Sequence, residues 1–192
     1  LPLLDRWMLQ RTAEVMDEIT EAFESYEFFR FFQLLQNFCV TDLSNFYLDI
    51  AKDRLYVSAP ADRRRRSCQT VMSLIIERLA GLIAPVLCHM AEDIWQNLPY
   101  KVEETSIFNR GWPTVPADWR DPSLSDPMQQ LRDLRAAVNK VLEDCRSRQE
   151  LGASLEASIR LEAHRPELQT ALSWLNENGD VEVDGLRDWL LV

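Results

Sequence analysis

The chain has 192 residues, 46% of them hydrophobic, with a formal charge of −10 and a pI near 4.7. That apolar content excludes a disordered chain, and the length suits one domain with a sizeable core or two small ones. Strong acidity argues against indiscriminate nucleic-acid binding but leaves room for a local basic site. No apolar run approaches the roughly 20 residues that span a bilayer, so no membrane association is expected. The N-terminus, LPLLDRWMLQ, carries no basic leader, no small-residue cleavage site and no Met. The expectation is a cytoplasmic chain that forms a piece of something longer.

The first predicted helix runs from about Leu4 to Ser25, with Leu4, Met8, Val15, Ile19, Ala22 and Phe23 along one face. The second runs from about Tyr26 to Ala51, close to 40 Å at about 1.5 Å per residue. Its apolar line is Phe28, Phe32, Leu35, Cys39, Leu43, Phe46 and Ile50, which puts Phe32 at the centre of the buried face. Arg30, Gln33, Asn37, Thr41 and Ser44 form a polar line that faces water or a partner. Pro60 ends this pattern, and Asp62 can cap a third helix from Ser67 to about Ile83, leaving Arg63 to Arg66 as a surface loop. Pro85 suits the first turn of a fourth helix, APVLCHMAEDIWQNL. Long helices with short joints give an antiparallel bundle.

Pro99, Pro113, Pro116, Pro122 and Pro127 punctuate the next stretch, which reads as an ordered crossing segment anchored by Ile107, Phe108, Trp112 and Trp119. A helix is predicted from about Asp126 to Gln149, capped by Ser125 or Asp126. LEASIRLEA alternates Leu155, Ala157, Ile159 and Leu161 against polar residues, which is a strand period. A short helix from Pro166 to Asn176 and a second strand at Val181–Val183 complete the reading. The predicted class is mainly α: a helix bundle over residues 1–120, then a helix and a small α+β unit over 121–192.

The catalytic inventory is short. CHMAED does not match H-E-x-x-H, and His89 on an apolar helix reads as a packing residue. Cys39, Cys68, Cys88 and Cys145 form no C-x-x-C pair and read as buried thiols, so no structural metal is expected. No Gly-rich phosphate loop and no nucleophile elbow occur. These residues describe a binding or structural module.

What stands out is the distribution of charge. Residues 1–98 hold ten Lys and Arg against fourteen Asp and Glu, and six of those ten cations lie between Lys52 and Arg66. One reading is a solvated helix end followed by a basic loop. The other is a phosphate-contacting ridge, with Tyr56 or Tyr47 available to pack on sugar or base.

LDRWML at 4–9, YEFFRFFQLLQNFCVTDLSNFYLDIAKDRLYV at 26–57, RRRSCQTV at 64–71 and APVLCHMAEDIW at 84–95 occur in order. Together they resemble the helical anticodon-binding domain of class I aminoacyl-tRNA synthetases for branched aliphatic amino acids, closer to the isoleucyl members than to the valyl or leucyl ones. LEDCRSRQELGASLEA at 142–157 resembles the segment that follows the bundle in bacterial isoleucyl enzymes. The resemblance covers residues 1–120 and 126–163; residues 164–192 match nothing recognised.

The resemblance implies a parent enzyme that attaches isoleucine to its tRNA using ATP and magnesium, with zinc in members that carry a four-cysteine module. It implies two partners, isoleucine-accepting tRNA and the catalytic domain of the same parent chain, in a monomer. The RNA-facing residues it suggests are Arg30, Asn37, Lys52, Arg54, Tyr56, Arg64 and Arg65. Arg54 has a competing role, holding the elbow by pairing with Asp49, Asp53 or Asp62. Trp7 reads as a packing residue. The HIGH-type and KMSKS-type motifs, an editing insertion and the four-cysteine module are absent from this sequence. The expectation is a fragment that binds no cofactor and cannot itself activate an amino acid. A stand-alone helical protein-interaction domain is the alternative, with a valyl or leucyl origin as another.

Overall fold

The computed structural model describes residues 1–153, 156–180 and 185–190. Helix α1 spans Leu3–Glu24 and buries Leu4, Met8, Val15, Ile19 and Ala22, the predicted line. It ends where Tyr26 adopts a left-handed φ of 59°, with the Glu27 amide returning to the Ala22 carbonyl. That turn reverses the chain into a continuous rod of three parts: α2 at Phe28–Asn37, a π-helical stretch at Phe38–Leu48, and α3 at Asp49–Tyr56. The backbone stays right-handed helical across both junctions.

The rod faces the core differently from the sequence reading. Phe31 is 3% exposed and Phe32 54%, so Phe32 is not the centre of the buried face. Phe38, Phe46, Tyr47 and Ile50 continue the inner line, and the ring of Phe31 lies 4.8 Å from that of Phe23. The cause is the middle stretch: i→i+5 bonding widens the turn and shifts every later residue around the axis. A single 3.6-residue period drawn from Phe28 to Ile50 therefore cannot fit both halves.

Helix α4 spans Arg63–Ile83 and is capped by Asp62, which accepts from the Arg64 amide at 2.8 Å. It begins four residues before the predicted start, so Arg63 to Arg66 are its first turn and not a loop. Helix α5, Cys88–Gln96, turns Ala91 and Trp95 inward. His89 and Cys88 are exposed, which corrects the packing role expected of His89 and the burial expected of Cys88. Cys68 is buried, and Cys39 and Cys145 are half-buried. The crossing segment is pinned by Ile107 and Trp119, whereas Phe108 stays exposed.

Helix α6, Ser125–Ser147, lies against the bundle and packs along α7, Pro166–Asn178. Leu124, Met128 and Leu131 join the same core as α1 and the rod, as do Leu175 of α7 and Trp189 of α8 (Leu186–Leu190). Trp7 is part of that core, with its ring edge-on to Phe46 at 5.2 Å.

No strand occurs among the described residues, so the expected α+β unit is corrected to helices joined by extended chain. The alternation holds over 156–160, fails at Leu161, which is exposed, and serves another end. Ala157 and Ile159 pack with Leu134, Val138 and Leu142 of α6, while Ser158 and Arg160 face out. Among the described residues this extended segment lies on a helix and has no neighbouring strand to complete a ladder. The second expected strand, Val181–Val183, lies outside the described residues. Among the described residues, no helix is long and apolar enough to cross a membrane.

Candidate nucleic-acid interface

The basic residues gather where the rod ends and α4 begins. Lys52 and Tyr56 are one turn apart on α3 and project from the same side. Lys52 is exposed and donates to Asp49 at 3.0 Å; Tyr56 is 83% exposed. Burial alone would raise the Asp49 carboxyl, but hydrogen bonds from Arg135 and Lys52 outweigh it and hold Asp49 below the usual carboxylate range.

Across the elbow, Arg65 donates to the Ser58 carbonyl at 3.1 Å. Arg64 is half-buried and lies 3.5 Å from the capping Asp62, and Arg63 pairs with Asp180 at 2.8 Å. Arg66 is exposed with no ion-pair partner among the described residues. Four guanidinium groups in a first helical turn oppose the positive end of the helix dipole. Asp62 offsets part of that cost; its carboxyl is lowered first by the Arg64 amide.

The structure separates the sequence candidates into three groups. Lys52, Tyr56, Arg64 and Arg65 come together at the elbow. Arg54 is only 4% exposed and lies in the core, so it is not on the ridge; this corrects its expected surface role. A guanidinium needs buried acceptors to sit there, and α3 turns Arg54 to the same inner face as Ile50 and Ala51. Arg30 and Asn37 lie elsewhere. Arg30 is 22 residues before Lys52, about 30 Å along a helix, and is held between Glu21 at 2.8 Å and Glu27 at 3.1 Å. Asn37 is exposed and accepts from the Thr41 hydroxyl at 3.0 Å.

Residues from α6 complete the elbow's surroundings, and the sequence did not single them out. Arg135 binds Asp49 at 2.5 Å and is itself buried. Behind this pair lies a polar recess of about 580 Å³ lined by Asp49, Arg135, Asn139, Lys140, Glu143 and Arg146. Lys140 and Arg146 are thereby brought to the side of the bundle that carries Lys52. Some 86 residues separate Asp49 from Arg135, and a pairing at that range leaves no local signal.

Under the elbow, the Asp5 carboxylate is fully buried on α1 and accepts from the Tyr47 hydroxyl at 2.7 Å and from the Ser67 hydroxyl. This joins α1, the rod and α4. Burial, and then the neighbouring Asp5 charge, push the Tyr47 phenol far above its ordinary value, so it remains a donor. Tyr47 is therefore structural, and Tyr56 is the tyrosine open to a ligand.

A family model described as the anticodon-binding domain of tRNA ligase matches residues 5–161. The chain belongs to that family. The match to the anticodon-binding domain runs from α1 through the extended segment after α6, across residue 120. The chain is 86% identical over all 192 residues to the isoleucine–tRNA ligase of Parasynechococcus marenigrum strain WH8102. It is 78% identical to that of Synechococcus sp. strain CC9311 and 77% identical to that of Prochlorococcus marinus strain MIT 9313. The match covers all of this chain in each case, and the chain spans 20% of the length of these curated relatives.

Proposed function

We propose that this chain is the tRNA-binding portion of an isoleucine–tRNA ligase, holding the anticodon arm while other parts of the parent activate isoleucine with ATP and magnesium. The observation that carries the reading is the family match over residues 5–161. The relatives at 77–86% identity support isoleucine as the amino acid. A cytoplasmic monomer follows from the same reading.

The contact surface we infer is the elbow, in a composition revised by the fold. Lys52, Arg65 and Arg66 meet phosphates, Tyr56 packs on sugar or base, and Arg54 holds the end of the rod from within. Arg64 spans both roles, half-buried against Asp62. The electrostatic cost of four arginines at a helix N-terminus supports this reading, because a bound phosphate removes it. Lys140 and Arg146 extend the basic side along α6. Phosphate contacts set the position of an RNA and carry no sequence information.

Filter binding with the complete polypeptide tests the surface. Lys52→Glu is expected to weaken cognate and non-cognate tRNA alike and to flatten the slope of log affinity against log salt by about 0.7–0.9 per lost phosphate. Lys101→Glu, on the exposed crossing segment, makes the same change in net charge and is expected to leave the slope unchanged. Arg54→Ala is expected to lower the melting temperature without altering the slope of the folded protein. Equal losses and equal slopes for Lys52→Glu and Lys101→Glu would remove the elbow from the contact surface.

A further inference from the structure

The two ends of the rod carry opposite surfaces. About 40 Å from the basic elbow, the corner between α1 and α2 exposes Tyr26 (80%), Phe28, Phe29 (73%) and Phe32. Ring contacts link Tyr26 and Phe28 to the crossing segment. Tyr26 meets Phe28 at 6.3 Å between centroids, Phe28 meets Phe23 at 5.8 Å, and Phe23 meets Trp112 of the crossing segment at 5.1 Å. Phe29 and Phe32 follow one another on α2 at the three-residue spacing that keeps side chains on one side of a helix, and Tyr26 stands at the corner just before it. Tyr26 also occupies a left-handed position at a helix end, where glycine is the usual residue. A contiguous apolar surface of this kind marks an interface.

Its rim identifies the kind of partner. Glu21, Glu24 and Glu27 are exposed around the corner, and the cation there, Arg30, is already held by Glu21 and Glu27. A phosphate backbone would meet a net negative rim. A second copy docking corner to corner would set these glutamates against themselves. The fitting partner is a protein surface with an apolar centre and a rim of Lys or Arg.

We propose that this corner docks a further portion of the same polypeptide, outside residues 1–192, with that chemistry. The chain spans a fifth of its relatives' length, so most of such a polypeptide lies beyond it. A tethered partner works at high effective concentration, so a small patch suffices. The proposal rests on the reading of this chain as part of a longer ligase. It does not depend on RNA contact at the elbow.

Hydroxyl-radical footprinting of the complete polypeptide, free of RNA, tests it. Each ring's oxidation rate in the native protein is divided by its rate in denatured protein. Docking predicts that Tyr26, Phe29 and Phe32 react on the order of ten-fold more slowly than their exposure here implies, as a docked preference of one decade requires. Phe29→Glu should return Tyr26 to the rate of an open ring while leaving the helix content by circular dichroism unchanged. Open-ring rates in the wild-type polypeptide would overturn the proposal. So would protection that appears only with tRNA, which assigns the corner to RNA, or protection that grows with protein concentration, which assigns it to a second copy. Protection that survives Phe29→Glu combined with Phe32→Glu would also overturn it. Loss of the Lys52 effect on tRNA binding with corner protection intact would fail the elbow and leave this proposal standing.

Discussion

Phe31→Ala is expected to cost about 3–5 kcal/mol of stability, the range for removing a buried phenylalanine ring. Phe32→Ala, one residue on, is expected to stay within about 0.5 kcal/mol, as for an exposed position. Phe31 packs its ring on Phe23 and joins the core with Phe38, whereas the Phe32 ring projects from the α1–α2 corner. The Phe31 ring packs on Phe23 of α1 at 4.8 Å between centroids, so truncation leaves a cavity between the rod and α1. Urea midpoints of the two variants, with unchanged slopes, give the comparison directly. Similar losses for both would mean that the rod is rotated from the facing described above.

That pair also locates the limit of what the sequence discloses. The inner line of α1, the cap at Asp62 and the helix beginning at Pro166 are local, and each was readable because one short stretch carries its own signal. The concentration of cations between Lys52 and Arg66 was equally legible, since charge is counted without knowing the fold. The facing of the rod was not. Its residues 38–48 depart from the 3.6-residue period, and nothing in FCVTDLSNFYL announces the wider turn. Of the two roles open to Arg54, its burial favours the inner one, and choosing between them needed the rotation of the rod, because a helix end reads as exposed until that rotation is known. The segment 156–163 failed differently. Its alternation correctly gives Ala157 and Ile159 an inner side, but period two describes any extended chain on an apolar surface and does not supply a partner strand. The contacts of α6 with the rod span about ninety residues, so only the fold brings them into view.

The most consequential of those contacts is the site at Asp42, and Asp42→Ala is expected to cost about 3 kcal/mol, the lower end of the range for breaking a buried ion pair. Asp42 lies in the π-helical stretch with its side chain 4% exposed. It accepts from Arg11 of α1 at 2.9 Å and from Arg132 of α6 at 2.7 Å, so one carboxylate ties three elements. The Arg132 guanidinium also covers the rings of Trp7 and Phe46, at 5.0 and 5.1 Å from their centroids. Burial disfavours the Arg11 charge, yet the hydrogen bonds it donates to Asp42 and Glu14 outweigh that and hold the guanidinium more firmly protonated than usual. Removing Asp42 leaves two arginines facing each other without their shared anion. The loss falls at the lower end because their side chains retain 23% and 18% exposure, through which water reaches them. A double-mutant cycle of Asp42→Ala with Arg132→Ala should give a coupling of roughly 1–3 kcal/mol. The exposed pair Lys52–Asp49 should give less than about 1 kcal/mol in the same cycle. The effect should reach the proposed RNA surface as well. Arg132 and Arg135 seat α6, and α6 carries Lys140 and Arg146 to the side of Lys52. Asp42→Ala at a temperature where the protein remains folded should therefore weaken tRNA binding, although Asp42 is too deeply buried to touch a phosphate. Full affinity in a variant destabilised by the expected amount would show that the position of α6 does not matter to the interface; a loss of stability below about 1 kcal/mol would show that the carboxylate is not the tie between the three helices.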